Sequence, residues 1–293
     1  MNPSLFRRVV VPTLILLLAS VAGGEEQPAL SRGGEWSIGI GLDVASGTYG
    51  NETKTRFVAV PIILQYTPTP RWSLELGLPW VYQSNSVTTY GSVGVSREQM
   101  SSPGGRLSLA AAGSHSGGPG GSGPMNLDPD KAQSGIGDAT ISAEYVLVEE
   151  GARQPRIGAL LYLKIPLANE EKGLGTGKFD EGVGLALAKT FGLTSYFVRG
   201  SYIFRGDSAE YDPENYLSYA LGIGYLINFD LQAALALTGA TKPFAGAPAP
   251  LEAQIRINYR ISEQLSLGGS LGHGLSDGSP DIAAGIVILR SFN

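Results

Sequence analysis

The chain has 293 residues, with 21 Lys+Arg against 26 Asp+Glu, a formal net charge of −5 and no cysteine. Without Cys there is no disulfide scaffold, no Cys-ligated zinc or iron–sulfur site and no thiol catalysis, and the acidic balance speaks against a nucleic-acid partner. Charged residues are 16%, against about 25% in a soluble domain, while a mean hydropathy of +0.05 is too apolar for disorder and too evenly mixed for a helical membrane protein.

Arg7 and Arg8 precede an apolar run from Val9 to Leu18 and then small residues, the layout of a secretory signal peptide. The run is too short for the ~20 residues of a helical span. Ser20-Val21-Ala22 predicts cleavage after Ala22, with Gly24 as the alternative. The expected organisation is a signal peptide over 1–22, a short periplasmic segment over 23–34 and a β-domain over 35–293.

From Trp36 onward the chain alternates. Trp36, Ile38, Ile40, Leu42 and Val44 share one face against Ser37, Gly39, Gly41, Asp43 and Ala45, the period of two that marks a strand. Trp72, Leu74, Leu76, Leu78, Trp80 and Tyr82 repeat the pattern, as do Leu251, Ala253, Ile255, Ile257, Tyr259 and Ile261 against Glu252, Gln254, Arg256, Asn258 and Arg260. No stretch of comparable length has a helical period. The alternation predicts twelve strands, over 35–47, 53–66, 71–84, 135–148, 153–168, 179–192, 194–206, 214–228, 229–241, 251–262, 264–275 and 281–293. They exceed the about five or six residues of an average soluble strand and reach the about nine to eleven of a membrane-crossing one.

The connections alternate in length. Tight turns fall at 67–70, 149–152, 192–193, 228–229 and 262–263, and longer loops at 48–52, 85–134, 169–178, 207–213, 242–250 and 276–280. Outer-membrane barrels sort their connections in this way, with short periplasmic turns and long external loops. Interfacial aromatics follow the same division. Trp36, Tyr66, Trp72, Tyr145, Phe191, Tyr196, Tyr225, Tyr259 and Phe292 fall at the turn ends, and Trp80, Tyr82, Tyr202 and Phe204 at the loop ends. The expected fold is all-β: a transmembrane antiparallel up-and-down β-barrel of about twelve strands.

Two segments carry a family resemblance. Gly135-Ile136-Gly137-Asp138 runs on to Tyr145, and a second segment begins at Lys164 and Pro166 and continues through Leu174-Gly175-Thr176-Gly177-Lys178-Phe179-Asp180 to Lys189-Thr190-Phe191-Gly192. Both resemble a family of Gram-negative outer-membrane proteins named for a role in the meta-cleavage pathway of phenol degradation and labelled transporters. Where that family follows its proline with Thr-Gly-Asp, this chain has Leu167-Ala168-Asn169. The resemblance implies an outer-membrane barrel and solute transport. Read without it, the glycines of the second segment match no phosphate-binding loop, because the GxxxxGK[ST] order and a following helix are missing.

On the inward face the alternation places Glu75, Asp138, Glu144, Asp180 and Glu252 together with Lys164, Arg199, Arg205, Arg256 and Arg260. These are the candidate lumen and selectivity residues. An Arg or Lys facing lipid at mid-depth costs about 2–4 kcal/mol, so these charges belong inside. They either pair into a structural plug or line a polar path. Inward Gly and Ala residues, among them Gly39, Gly184, Gly222, Ala236 and Gly268, either leave a gap or permit the strands to coil. Phe57, Ala59, Pro61, Ile63, Leu160, Tyr162, Ile203, Leu226, Val287 and Leu289 make part of the interior apolar.

The long loop over 85–134 reads as a lid, an inserted constriction or a disordered segment. Asp207, Glu210, Asp212 and Glu214 form an acidic loop without EF-hand spacing. A hydrolase needs a base holding a serine nucleophile, and neither His115 nor His273 has a serine at suitable spacing. Catalytic residues, cofactors and metals are not expected. The expected function is an outer-membrane channel for small, partly hydrophobic solutes, aromatic ones included. The alternative is a non-transporting structural or surface barrel closed by its ion pairs. Expected partners are outer-membrane lipid and lipopolysaccharide, a small-molecule solute and the barrel-assembly machinery.

Overall fold

The computed structural model describes residues 34–50, 53–85, 131–207 and 213–292. The signal segment, the interior of the 85–134 loop with His115, and Glu210 and Asp212 lie outside the described residues. The strands are β1 (Glu35–Gly47), β2 (Thr55–Thr69), β3 (Trp72–Gln83), β4 (Gln133–Ile136), β5 (Ala139–Val148), β6 (Arg156–Ile165), β7 (Asp180–Phe191), β8 (Thr194–Phe204), β9 (Tyr216–Leu226), β10 (Leu231–Ala240), β11 (Leu251–Arg260), β12 (Leu265–Gly274) and β13 (Ile282–Phe292). Each pairs antiparallel with its chain neighbour except β4 and β5, which both pair with β3, and β1 closes the sheet on β13 through a register from Trp36↔Phe292 to Ser46↔Ile282. β4 and β5 are two pieces of one staves-width of wall, so the barrel has twelve strands. The five tight turns lie at one end, hereafter the turn end, and the loops at the other.

The two faces divide as alternation requires. Ile40, Leu185, Leu235 and Leu271 project outward at 56 to 62% exposure. Such an apolar outer face suits lipid, and no interior remains for it to pack against. Stacked aromatics mark the turn end, with Trp36 and Tyr66 centroids 4.0 Å apart and Trp72 and Tyr145 4.8 Å apart. At the loop end Tyr202 and Phe204 meet edge-on at 5.0 Å.

The fourth predicted strand, 135–148, is broken. Trp80 pairs with Ile136 and Gly77 with Thr140, so the three residues Gly137, Asp138 and Ala139 oppose the two residues Leu78 and Pro79. This is a β-bulge. Proline has no N–H to give the ladder, and Pro79 is held at the bulge through its carbonyl alone, which accepts from Gly137 N–H at 2.8 Å. A 3₁₀ turn at Glu170–Lys172, absent from the sequence reading, shapes the third loop, with Asn169 capping it through Lys172 N–H.

Candidate functional site

The bulge directs the Asp138 side chain inward, to 7% exposure. There it meets Lys164 at the loop end of β6, with Nζ 3.2 Å from Asp138 Oδ2 and 2.9 Å from Asp180 Oδ2. Asp180 also holds Arg205 Nε at 3.3 Å and accepts a hydrogen bond from Gly206 N–H. Four alternating charges, from β6, β7, the residue that follows β8 and the bulge, thus form one buried cluster at the mouth. Arg205 in turn lies over the Phe244 ring, 4.4 Å to its centroid, with Tyr216 at 5.8 Å.

The third loop closes onto this cluster. Ala168 N–H donates to Asp138 Oδ1, and Lys164 Nζ donates to Thr176 Oγ1 at 2.9 Å. A methyl group at Gly175 would stand 2.8 Å from Asp138 Oδ1 and 2.7 Å from the Ala168 methyl, so only glycine lets the loop approach. Leu174 anchors it in an apolar cluster with Ala45, Phe57, Ala59 and Val81. The two segments that carry the family resemblance are therefore halves of one site.

On the other side of the mouth the loops interlock. Tyr49, at φ 52, is 1% exposed. Burial, and then the charges of Glu252 and Asp281, raise its pKa. Ser276 Oγ donates to Ala249 O and accepts from Leu251 N–H, and Lys54 pairs with Asp281 at 2.9 Å.

The remaining sequence-predicted residues spread from the mouth, where Glu252 opens β11, to the turn end. Arg256 donates from Nε and Nη2 to Gln254 Oε1, and Gln254 Nε2 donates to Glu252 Oε2. Glu75 accepts from Gln65 Nε2 at 2.8 Å. Arg199, at mid-length of β8, is 8% exposed. Glu144 pairs with Arg156 at 3.2 Å near the turn end. Arg260 stands apart from the lumen charges: it reaches outside the strand ladder to Asp230 at 2.9 Å and to Phe229 O in the turn, because the last residue of a strand is free to swing over the rim.

Arg156 and Asp43, the latter 2% exposed, are inward groups missing from the sequence set. Parity with Lys164 along β6 points to Arg156, and parity with Gly39 along β1 to Asp43. Thr176 had no such signal, since it lies on a loop.

The inward glycines have a steric role. A methyl at Gly222 would collide with the Phe197 ring at 2.5 Å, one at Gly39 with Leu289 Cδ1 at 2.7 Å, and one at Gly268 with Val287 Cγ1 at 2.8 Å. Each glycine is a recess in which a neighbouring strand's apolar side chain lies along the wall. His273 points outward, its Nδ1 2.8 Å from the backbone carbonyl of Asp281. Among the described residues, no group of three His, Asp or Glu side chains is placed to hold a metal.

Residues 72–289 match the protein family described as "Putative MetA-pathway of phenol degradation". No curated protein matches the chain. Among solved structures, an outer-membrane channel from Pseudomonas putida F1 is similar at a TM-score of 0.60 and 17% identity, covering 92% of this chain and 100% of its own. The KdgM porin gives 0.51 at 9% identity, covering 88% and 99%. The NanC porin gives 0.50 at 9% identity, covering 87% and 99%. At these identities the likeness is one of fold.

Proposed function

The chain belongs to this MetA-pathway phenol-degradation family, and from that premise we propose that it is an outer-membrane channel passing small, partly hydrophobic solutes. The observation that carries the reading is the lining. Apolar side chains lie flat in glycine recesses while charged groups stand at separate depths, from Lys164 at the mouth to Arg199 and Arg256 further in. Such a lining offers an amphipathic solute both kinds of contact and offers a bulk ion only one. The resemblance to an outer-membrane channel and to porins supports it.

In this reading the turns face the periplasm and the loops face outward, with lipid, lipopolysaccharide and the assembly machinery as partners. The inward charges Glu75, Asp138, Glu144, Lys164, Asp180, Arg199, Arg205, Glu252 and Arg256 orient and select solutes and do no chemistry. Arg260 holds the rim. The second reading, a structural barrel closed by its ion pairs, draws on the burial of Lys164 to 3% exposure between two carboxylates.

Planar-bilayer recording of the refolded chain decides between them. The channel reading expects a steady single-channel current that phenol or a similar aromatic solute reduces. A silent bilayer with protein shown to be folded, together with no solute uptake in vesicles, replaces it with the structural barrel.

A further inference from the structure

We propose that the third loop is a hinged constriction of this conduit and that Leu174 sets the size of the solute that passes. The proposal deepens the channel reading and rests on it. A loop at a barrel mouth ordinarily rides in water, because its backbone polar groups need partners. Residues 173–176 are instead buried, with Leu174 at 9% exposure and Thr176 at 1%. What they touch lies on the inner face of the wall. Leu174 joins a cluster with Ala45 of β1, Phe57 and Ala59 of β2 and Val81 of β3, Gly175 closes on Asp138, and Thr176 accepts from Lys164 of β6. The segment therefore takes up cross-section that the lumen would otherwise have.

Glycines bracket the inserted tripeptide Leu174-Gly175-Thr176. Gly173 stands at φ 67 and Gly177 at φ 63, left-handed values that glycine adopts without strain. The 3₁₀ turn sets the root of the loop, with Gly173 N–H and Leu174 N–H donating back to Glu170 O and Asn169 O. To the wall, residues 174–176 are fastened through the Thr176 hydroxyl and the Leu174 side chain. The 242–250 loop, on another arc of the mouth, is tied by its main chain, Glu214 N–H donating to Pro243 O and Ala240 N–H to Pro250 O. Side-chain fastening between two glycines marks the third loop as the part of the mouth that yields first.

Leu174 makes the constriction selective. An apolar solute that displaces it covers the same apolar wall, so little hydrophobic burial is lost, whereas a hydrated ion would leave that wall bare. A single ring needs a small displacement of the Leu174 side chain. A fused pair of rings needs the tripeptide itself to swing and the bond between Thr176 and Lys164 to break. Solute size thus enters through how far the segment must turn.

The chain has no cysteine, so introduced thiols have no native competitor. A Cβ at Gly135 would stand 2.9 Å from Leu174 Cδ1, which puts the pair Gly135→Cys and Leu174→Cys within reach of a disulfide. The test is planar-bilayer recording, with phenol and 1-naphthol entry into vesicles, on the refolded full chain, on Leu174→Ser and on the double-cysteine chain, oxidised and reduced. The disulfide is expected to form on air oxidation, and reducing it to raise the current about twofold or more as the segment is released. Leu174→Ser should speed 1-naphthol entry more than phenol entry. A folded chain that forms no disulfide, one current in both redox states, or a Leu174→Ser chain with unaltered current and solute preference would each overturn the proposal, while a conducting unaltered barrel keeps the channel reading. Silence and no solute entry in every form, from protein shown to be folded, would remove the channel reading and the constriction with it.

Discussion

Lys164 Nζ is held by Asp138, Asp180 and Thr176 at about one hydrogen-bond length each. Removing one partner of a buried pair leaves the others desolvated and uncompensated, at a cost of about 3–5 kcal/mol. Lys164→Met is therefore expected to destabilise the folded barrel by about that amount, read by urea unfolding in lipid vesicles, and to free the third loop for proteolysis. An unchanged midpoint would mean that the cluster contributes little. Tyr49 gives a pH test at the same scale. Its folded pKa lies above the ordinary value of 10.0, mainly through burial, so the neutral phenol is the form the fold stabilises. Its contribution is complete below pH 10.0 and falls as the pH rises beyond it. The mouth loops should loosen in that alkaline window, seen as protease cleavage near residue 49, and Tyr49→Phe should abolish this alkaline sensitivity.

At the scale of the strand, one extra methyl group separates the glycines that are recesses from those that are not. Gly222→Ala would drive a Cβ into the Phe197 ring and the Leu235 carbonyl. The expected destabilisation is about 1–3 kcal/mol. Gly200 faces outward on β8, and a Cβ there finds no atom closer than 3.9 Å. Gly200→Ala should be neutral or slightly stabilising, because it removes backbone freedom from the unfolded chain. Equal effects in paired unfolding curves would refute the recess argument. The bulge at Gly137–Asp138 belongs to this scale too. It is legible in sequence only as a glycine beside an aspartate, yet it settles where the carboxylate points.

At the scale of the whole barrel, the surface follows the physics of lipid. Leu235 is 62% exposed at mid-length of β10. In water, arginine there would change stability little. In a bilayer it should cost about 2–4 kcal/mol. Leu235→Arg is accordingly expected to unfold at lower urea in vesicles, while Ser218→Arg, which places the charge on the inward face, should spare the lipid contact and alter conductance instead. If Leu235→Arg left the unfolding midpoint in vesicles unchanged, the outer face would not be in lipid.

Strand count, the inner or outer face of most strand positions, and the separation of short turns from long loops were determined by sequence alone; the faces of Ile136, which shares the parity of Asp138 yet is 54% exposed across the bulge, and of Arg260 were not. The reason is local: alternation has a period of two, and each strand declares its faces without reference to any other. Trp36, Leu235 and Asp180 could be assigned from neighbours a few residues away. Only the tertiary structure decided which inward groups meet. Asp138 and Lys164 are 26 positions apart and Arg205 lies a further 41 along, and what unites them is the register of adjacent strands together with one extra residue at the bulge. A shift of one residue would have reversed those faces. The inward glycines show the same limit. Sequence left them as either open space or aids to coiling, whereas packing shows that the side chains of Phe197, Leu289 and Val287 fill them. Which neighbour fills a recess depends on the pairing of two strands, and no single strand encodes it.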